Sequence, residues 1–316
     1  MAPRSRAGAE IAALSPAAFA TVGDFYRSQN RLESLLVIFC RGATIKSGAI
    51  VFISVVIPTY NRRAILEKCL VALEQQHLSP DTPISGYEVV VVDDGSTDGT
   101  LEWLAQQRGV FPHVRCLQQD HQGPAAARNL GVTAAIGETI IFIDSDLVVT
   151  ASFLQAHAEA LVQGQQTLGR DRLFTYGRVI NTCNFEHPTS EPYKITDFSA
   201  AYFATGNVAI ARHWLEAAGL FDTQFHLYGW EDLELGVRLK HLGLKLVKCP
   251  EAVGYHWHPA FHLEQIPRMI DREIQRGSDG GAVLSKASYL GSTNDDSDDL
   301  DSPPTLGAAV PGRASE

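Results

Sequence analysis

The chain has 316 residues, 45% of them hydrophobic and 20% charged, enough for one large α/β domain or two modest ones with a sizeable core. Its net charge of −10 is unevenly placed: Asp295, Asp296, Asp298, Asp299 and Asp301 crowd one short tail stretch, the body is only mildly acidic, and nothing resembles the basic footprint of a nucleic-acid binder. Five widely spaced cysteines, Cys40, Cys69, Cys116, Cys183 and Cys249, form no Cys-x-x-Cys pair and read as reduced, structural thiols of a cytosolic protein.

Residues 1–50 carry mixed, Ala-rich signals and are expected to form an N-terminal extension of open role. No apolar run approaches the roughly 20 residues a membrane helix needs. The nearest, Leu35 to Cys40, lies behind Arg31 and Glu33 and begins too late for a signal peptide. Peripheral contact with a membrane stays open.

From Val51 the pattern sharpens. Val51 to Ile57 is a continuous apolar, β-branched run, which predicts a strand buried on both faces. Asn61 is placed to cap a helix over Ala64 to Gln76, whose Ile65, Leu66, Cys69, Leu70 and Leu73 share one face. Tyr87 to Val92 predicts a second buried strand. A turn at Asp93 to Thr97 then leads into a helix over Leu101 to Gln107, and Val114 to Leu117 predicts a third strand. Pro124 opens a helix that runs to Ala135, with Gly137 as its stop. Thr139 to Ile143 is the fourth strand, and a helix from Ser152 to Gln163 ends near Gly164.

In the second half, Leu173 to Ile180 and Phe203 to Ile210 read as strands. Glu231 to Leu242 reads as a helix with acids in its first turn and Lys240 and His241 in its last, matching the helix dipole. Lys245 to Lys248 and Ala252 to His256 read as two further strands. From Ser278 the composition turns to Gly, Ser, Asp and Pro, so 278–316 is expected to be a disordered acidic tail. Strands alternating with helices predict a mostly parallel sheet with helices on both faces. In such a sheet ligands bind beyond the carboxyl ends of the strands, and the polar clusters fall there.

Each cluster has two readings. Asp144 and Asp146 leave a buried strand one residue apart around Ser145; they can grip a hard divalent cation with a diphosphate or merely cap the next loop. Asp93 and Asp94 precede Gly95 and Ser96; Asp94 can face a nucleobase or ribose while Asp93 serves an Asp-Gly turn, with Ser96 or Thr97 as N-cap. Gly123 opens a helix whose N-terminus attracts phosphate and which carries Arg128, or is simply a well-packed helix. Glu231 and Asp232 follow Gly229 and Trp230; one can act as a general base, or both can merely favour the helix N-terminus. His256 and His258 share one face of a strand and can share a metal, or sit there as ordinary histidines. His121, His157, His187 and His226 receive no role. A Gly-x-Gly-x-x-Gly loop is absent after the first strand, against a dinucleotide-dependent oxidoreductase.

Taken in order, these segments resemble the family 2 glycosyltransferases. Val55 to Arg62 is similar to that family's opening strand and loop. Val90 to Asp98 is similar to its second block, Gly123 with Ala127 to Gly131 to its third, and Phe142 to Asp146 to its Asp-x-Asp block. Gly229 to Leu235 with Arg238 is similar to its late Glu-Asp block. The resemblance covers residues 52–260.

It implies a GT-A fold over 51–277, with a nucleotide-binding half at about 51–150 and an acceptor half at about 151–277. It implies that Pro58, Tyr60 and Asp94 contact the nucleobase of a nucleoside-diphosphate sugar, that Asp144 lies near the ribose, and that Asp146 ligates Mn²⁺ or Mg²⁺ with His256, or His258, completing the shell. It further implies an inverting transfer in which Asp232 is the base and Glu231 positions the acceptor, or the reverse.

UDP-sugars are the common family donor, and a saccharide or lipid-linked hydroxyl is the expected acceptor. Without terminal membrane helices, a cytoplasmic single-addition enzyme at or near the membrane's inner face is expected. A sugar nucleotidyltransferase and a non-catalytic nucleotide- or glycan-binding relative are the alternatives.

Overall fold

The computed structural model describes residues 51–192, 202–225 and 230–260. The expectations for residues 1–50, Gly229, His226, 261–277 and the tail 278–316 lie outside the described residues.

The chain order is β1 (Val51–Thr59), α1 (Arg63–Glu74), β2 (Ile84–Asp93), α2 (Thr100–Gln106), β3 (Val114–Gln118), α3 (Pro124–Ala134), β4 (Thr139–Ile143) and β5 (Leu147–Val149). It continues with α4 (Phe153–Leu168), β6 (Leu173–Thr182), a 3₁₀ turn (Pro188–Ser190), β7 (Asn207–Ala211), α5 (Arg212–Ala218), α6 (Glu231–His241) and β8 (Lys245–Trp257). One eight-stranded sheet runs β3-β2-β1-β4-β7-β6-β8-β5. β3, β2, β1 and β4 are mutually parallel. β7 runs against both β4 and β6, while β6 and β8 are parallel. The carboxyl ends of β1, β2, β4, β6 and β8 therefore share one rim.

Alternate residues of the strands feed two cores. On one face Ile53, Val55 and Ile57 meet α1, α2 and α4; on the other Val56, Val90 and Phe142 meet α3, α5 and α6. α1 buries Ile65, Leu66, Cys69, Leu70 and Leu73, the face expected from its spacing. Five such side chains contribute on the order of 10 kcal/mol before chain entropy is set against it. α3 lies closest to the sheet: a Cβ on Gly131 would collide with the Val56 side chain. Ala125 and Ala127 are buried beside it, and small residues are what that approach requires.

Several boundaries differ from expectation. The N-cap of α1 is Arg62 rather than Asn61, because the Asn61 side chain is engaged across the loop with Thr97. α2 is capped at Gly99 rather than Ser96 or Thr97; the Asp98 carboxylate accepts from the Thr100 amide and hydroxyl. α3 is ended by extended backbone at Ala135. Gly137 instead packs against the backbone of β1, where a Cβ would sit 2.6 Å from the Phe52 carbonyl oxygen. α4 runs past Gly164, which faces Leu173, to Gly169 in the left-handed conformation. β7 starts at Asn207 rather than Phe203. The two late strands are one, β8, with an irregularity opposite Gly177/Arg178. The four described cysteines are free.

A buried polar knot fixes the second half of the sheet. His157 of α4 bonds Thr175 Oγ1 through Nδ1 and Asn207 Oδ1 through Nε2, both at 2.8 Å. Asn207 Nδ2 donates to the Arg178 and Ala252 carbonyls, so its Oδ1 must accept and Nε2 of His157 carries the proton. Burial pushes the imidazole down to about 4 against the opposing Asn207 bond, so it stays neutral. The knot joins β6, β7, β8 and α4, and sets Gly206 against the rim.

Candidate active site

The acids gather where β4 ends. Asp146, Asp144 and His256 each direct a ligand atom into one spot, all within 4.8 Å of one another. The antiparallel pairing of β5 with the end of β8 brings this about, placing Leu147 opposite His256, and the Trp257 amide bonds the Asp146 carbonyl. His256 Nε2 lies 2.9 Å from Asp146 Oδ1. His258 lies beside it with ring centroids 4.2 Å apart and the planes tilted by 59°, and its amide bonds the Thr182 carbonyl. The converging ring is therefore that of His256.

Burial works against charge on both partners, and their mutual hydrogen bond and attraction outweigh it. Asp146 is held below the usual carboxylate range and His256 above the usual imidazole one. Two carboxylates and an imidazole suit a divalent ion that accepts oxygen and nitrogen, Mn²⁺ more readily than Mg²⁺.

A cation of the chain's own reaches the same cluster. Arg62 Nη1 bonds Asp146 Oδ2 at 2.7 Å. Its backbone is fixed by Asn61, which has φ of 52°, donates its amide N–H to the Ser96 hydroxyl oxygen and accepts the Thr97 amide on its side-chain oxygen.

The second half of the site is built on Arg128. This side chain, 1% exposed, donates to Glu231 Oε1 at 2.8 Å and Asp144 Oδ1 at 3.2 Å, and lies over the Phe221 ring. It joins the end of β4 to the first turn of α6. Gly206 lies against the other Asp144 oxygen, where a Cβ would sit 3.2 Å away.

Beside Glu231, Asp232 is half-buried and accepts from the Thr205 and Leu233 amides. Burial first, then the charge of Glu231, pushes its carboxyl up to about 7; Arg128 and the Thr205 amide only partly offset this. A carboxyl in that range can exchange a proton with a hydroxyl near neutrality.

The third part lies at the end of β2. Asp94, buried, accepts from Gln119 Nε2 and from the Gln122 and Gly123 amides at 2.7–2.9 Å. His121 Nδ1 lies 2.9 Å from its Oδ2. Asp94 thereby pins the loop that leads into α3, and Gly123, with φ of 90°, makes the turn. Asp93 serves the neighbouring turn, accepting the Ser96 amide. Its other oxygen and the Thr59 hydroxyl, opposite each other in register, are buried without a protein partner among the described residues. Tyr60 is 43% exposed and stacks on His121 at 4.1 Å between centroids. Pro58 is half-buried on β1, and Ser145 is buried between the two acids.

All the candidate residues thus stand on one rim, and contacts join the metal-type cluster to Glu231 through Asp144 and Arg128. Arg128 is engaged by two carboxylates rather than turned toward an open anion site. Sequence reasoning missed Arg62, His121, Gly206 and the Thr205 amide. A groove of about 830 Å³ between α1, β5 and the 3₁₀ turn, walled by Lys68, Val148 and Phe185, includes none of these acids. Chemistry rather than cavity volume locates the site.

Residues 54–217 match the family described as Glycosyl transferase family 2, and residues 187–262 match one described as the N-terminal domain of galactosyltransferase. The chain is 29% identical over 259 residues to a chondroitin synthase of Escherichia coli, covering 70% of this chain and 37% of that protein. It is 26% identical over 259 residues to a hyaluronan synthase of Pasteurella multocida, covering 70% and 26%. It spans well under half the length of these curated relatives. A mannosyltransferase of Pyrobaculum calidifontis, solved with GDP-Man and Mn²⁺, superposes with a TM-score of 0.52 at 21% identity, over 75% of this chain and 65% of that one. The fold is that of the GT-A glycosyltransferases.

Proposed function

The chain belongs to glycosyl transferase family 2, and from that premise we propose that it transfers a single sugar, with inversion, from a nucleoside-diphosphate sugar to a hydroxyl of a saccharide or lipid-linked acceptor. A UDP-sugar is the donor we favour, and the saccharide-building names of its relatives favour a glycan acceptor. We place the reaction in the cytoplasm or at the membrane's inner face; no helix among the described residues is long and apolar enough to cross a membrane. The observation that carries the reading is the convergence of Asp144, Asp146 and His256, tied through Arg128 to Glu231 and its neighbour Asp232.

In this reading Pro58, Tyr60 and Asp94, with the loop Asp94 pins, receive the nucleobase, and the N-terminus of α3 at Gly123 faces the phosphates. Asp144 and Ser145 lie beside the ribose. Asp146 and His256 hold Mn²⁺ or Mg²⁺, whose chemistry is to offset charge on the departing diphosphate. Asp232 takes the proton of the acceptor hydroxyl. That oxygen attacks the anomeric carbon from the face opposite the diphosphate, which departs with the electron pair of the broken C–O bond. Arg128 pairs with Glu231 and orients it beside the base.

A thermal-shift panel of nucleotides and nucleotide sugars, each with Mn²⁺, Mg²⁺ or EDTA, tests this. Saturation near 100 times Kd stabilises by about 2.7 kcal/mol. The expected result is a metal-dependent shift confined to one nucleotide, accompanied by release of that nucleoside diphosphate when an acceptor is supplied. Stabilisation without release marks a non-catalytic binder, and no shift with any nucleotide overturns the reading.

A further inference from the structure

Both oxygens of Asp146 are already taken by cationic or proton-donating groups of the chain: Oδ1 by His256 at 2.9 Å and Oδ2 by Arg62 at 2.7 Å. His256 sits on β8 and belongs to the metal-type cluster itself. Arg62 is different. Its side chain is 46% exposed while that of Asp146 is 9% exposed, so the guanidinium reaches the acid from the solvent side and can return there. The backbone beneath it is held independently by the Asn61 bonds to Ser96 and Thr97 and by the Arg63 amide bond to Asp98. Releasing the side chain therefore disturbs neither the loop nor the start of α1.

Arg128, the other arginine of the rim, is enclosed between Asp144 and Glu231 and is not positioned to exchange. A carboxylate oxygen bonded to a guanidinium at 2.7 Å cannot also ligate a divalent ion on the same lone pair, and like charges that close repel.

We propose that Arg62 is an exchangeable internal cation, a positioning residue that occupies Asp146 and competes with the divalent ion for it. The proposal rests on the reading of Asp144, Asp146 and His256 as the metal site. It assigns Arg62 a role in metal affinity separate from the residues that hold the donor. Its strength follows from its exposure: a solvent-accessible ion pair weakens a competing ligand by about two- to fivefold.

The test is direct titration of Mn²⁺ alone into the metal-stripped 316-residue chain, reading free Mn²⁺ by electron paramagnetic resonance, for wild type, Arg62→Gln, Arg62→Lys and Asp146→Asn. Arg62→Gln is expected to bind Mn²⁺ about two- to fivefold more tightly than wild type. Arg62→Lys, which keeps the charge, is expected to stay near wild type, and Asp146→Asn to lose binding. Equal or weaker binding by Arg62→Gln, with wild type still binding and Asp146→Asn not, overturns the competition while leaving the metal site standing. Failure of wild type and Arg62→Gln alike to bind Mn²⁺ overturns the metal-site reading, and the competition with it. Circular dichroism on each variant separates these outcomes from misfolding.

Discussion

Replacing Asp232 by Asn keeps the shape of the side chain and its capacity to accept the Thr205 amide, but removes the charge that the fold resists. Burial and the neighbouring Glu231 carboxylate raise Asp232 to about 7, whereas an aspartate in the unfolded chain titrates near 3.9. The sign follows from proton counts. Below about pH 4 both states hold the proton and no penalty exists. Between about 4 and 7 the folded chain keeps a proton that the unfolded chain has lost, so stability falls as pH rises. Above about 7 both are ionised and the whole penalty is present. Three units of difference set an upper bound of about 4 kcal/mol. Asp232 is only half-buried and shares its charge with Glu231, so roughly 1–2 kcal/mol is the expected penalty.

Asp232→Asn is therefore expected to melt a few degrees above wild type at pH 8 in EDTA, with the gap closing as pH is lowered toward 4. Its sugar transfer is expected to drop by about 10²–10⁴, the usual worth of a general base. In wild type kcat/KM should rise with pH through an apparent value near 7. A melting gap independent of pH, or transfer by Asp232→Asn at the wild-type rate, refutes the assignment of Asp232 as a strained base.

Arg128→Met leaves Glu231 and Asp144 without their buried cation and is expected to cost about 3–5 kcal/mol in urea denaturation; adding Glu231→Gln should restore part of it. Gly137→Ala forces a methyl to 2.6 Å from the Phe52 carbonyl oxygen and 2.7 Å from the Ser54 amide nitrogen, for an expected loss of about 1–3 kcal/mol by the same measurement. His157→Leu orphans the Thr175 hydroxyl and the Asn207 carbonyl, costing about 2–4 kcal/mol at pH 7. Because the wild-type imidazole is held down to about 4 in the fold, wild type loses stability as pH falls from about 6.5 to 4, and the gap to this variant is expected to narrow over that range.

The first half of the fold was legible because burial on both faces of a parallel sheet leaves its mark as unbroken β-branched runs. Val51 to Ile57, Tyr87 to Val92 and Thr139 to Ile143 announce themselves, and each is followed by the polar residues of the rim. β5 has three residues and α5 seven, too few for a period to register. The two late runs merged into β8 because partners on both sides, β6 and β5, carry the strand through its irregularity. Composition could mark Asp146 and His256 as ligand types. It could not say that 110 residues of chain would bring them within 2.9 Å, since a residue's pattern encodes whether it is buried and not what it faces. His121 was passed over for the same reason: its stack on Tyr60 and its contact with Asp94 come from a loop folding back, and no periodicity describes that.

The charges at the rim also explain why two arginines there do different work. Four carboxylates, those of Asp144, Asp146, Glu231 and Asp232, stand on adjoining strand and helix ends, and a fold cannot hold them together unpaired. Arg128, sealed at 1% exposure between Glu231 and Asp144, supplies a cation that cannot leave without unfolding the junction of β4 and α6. Arg62, nearly half in solvent, supplies a cation that can. Local residue type is identical in the two cases; burial alone divides the permanent counter-ion from the replaceable one. On the proposed function that division falls where the reaction would need it: the fixed charge lies beside the proposed base, whose surroundings must not change during turnover, and the loose one lies on Asp146, where a divalent ion and a diphosphate would have to enter and leave.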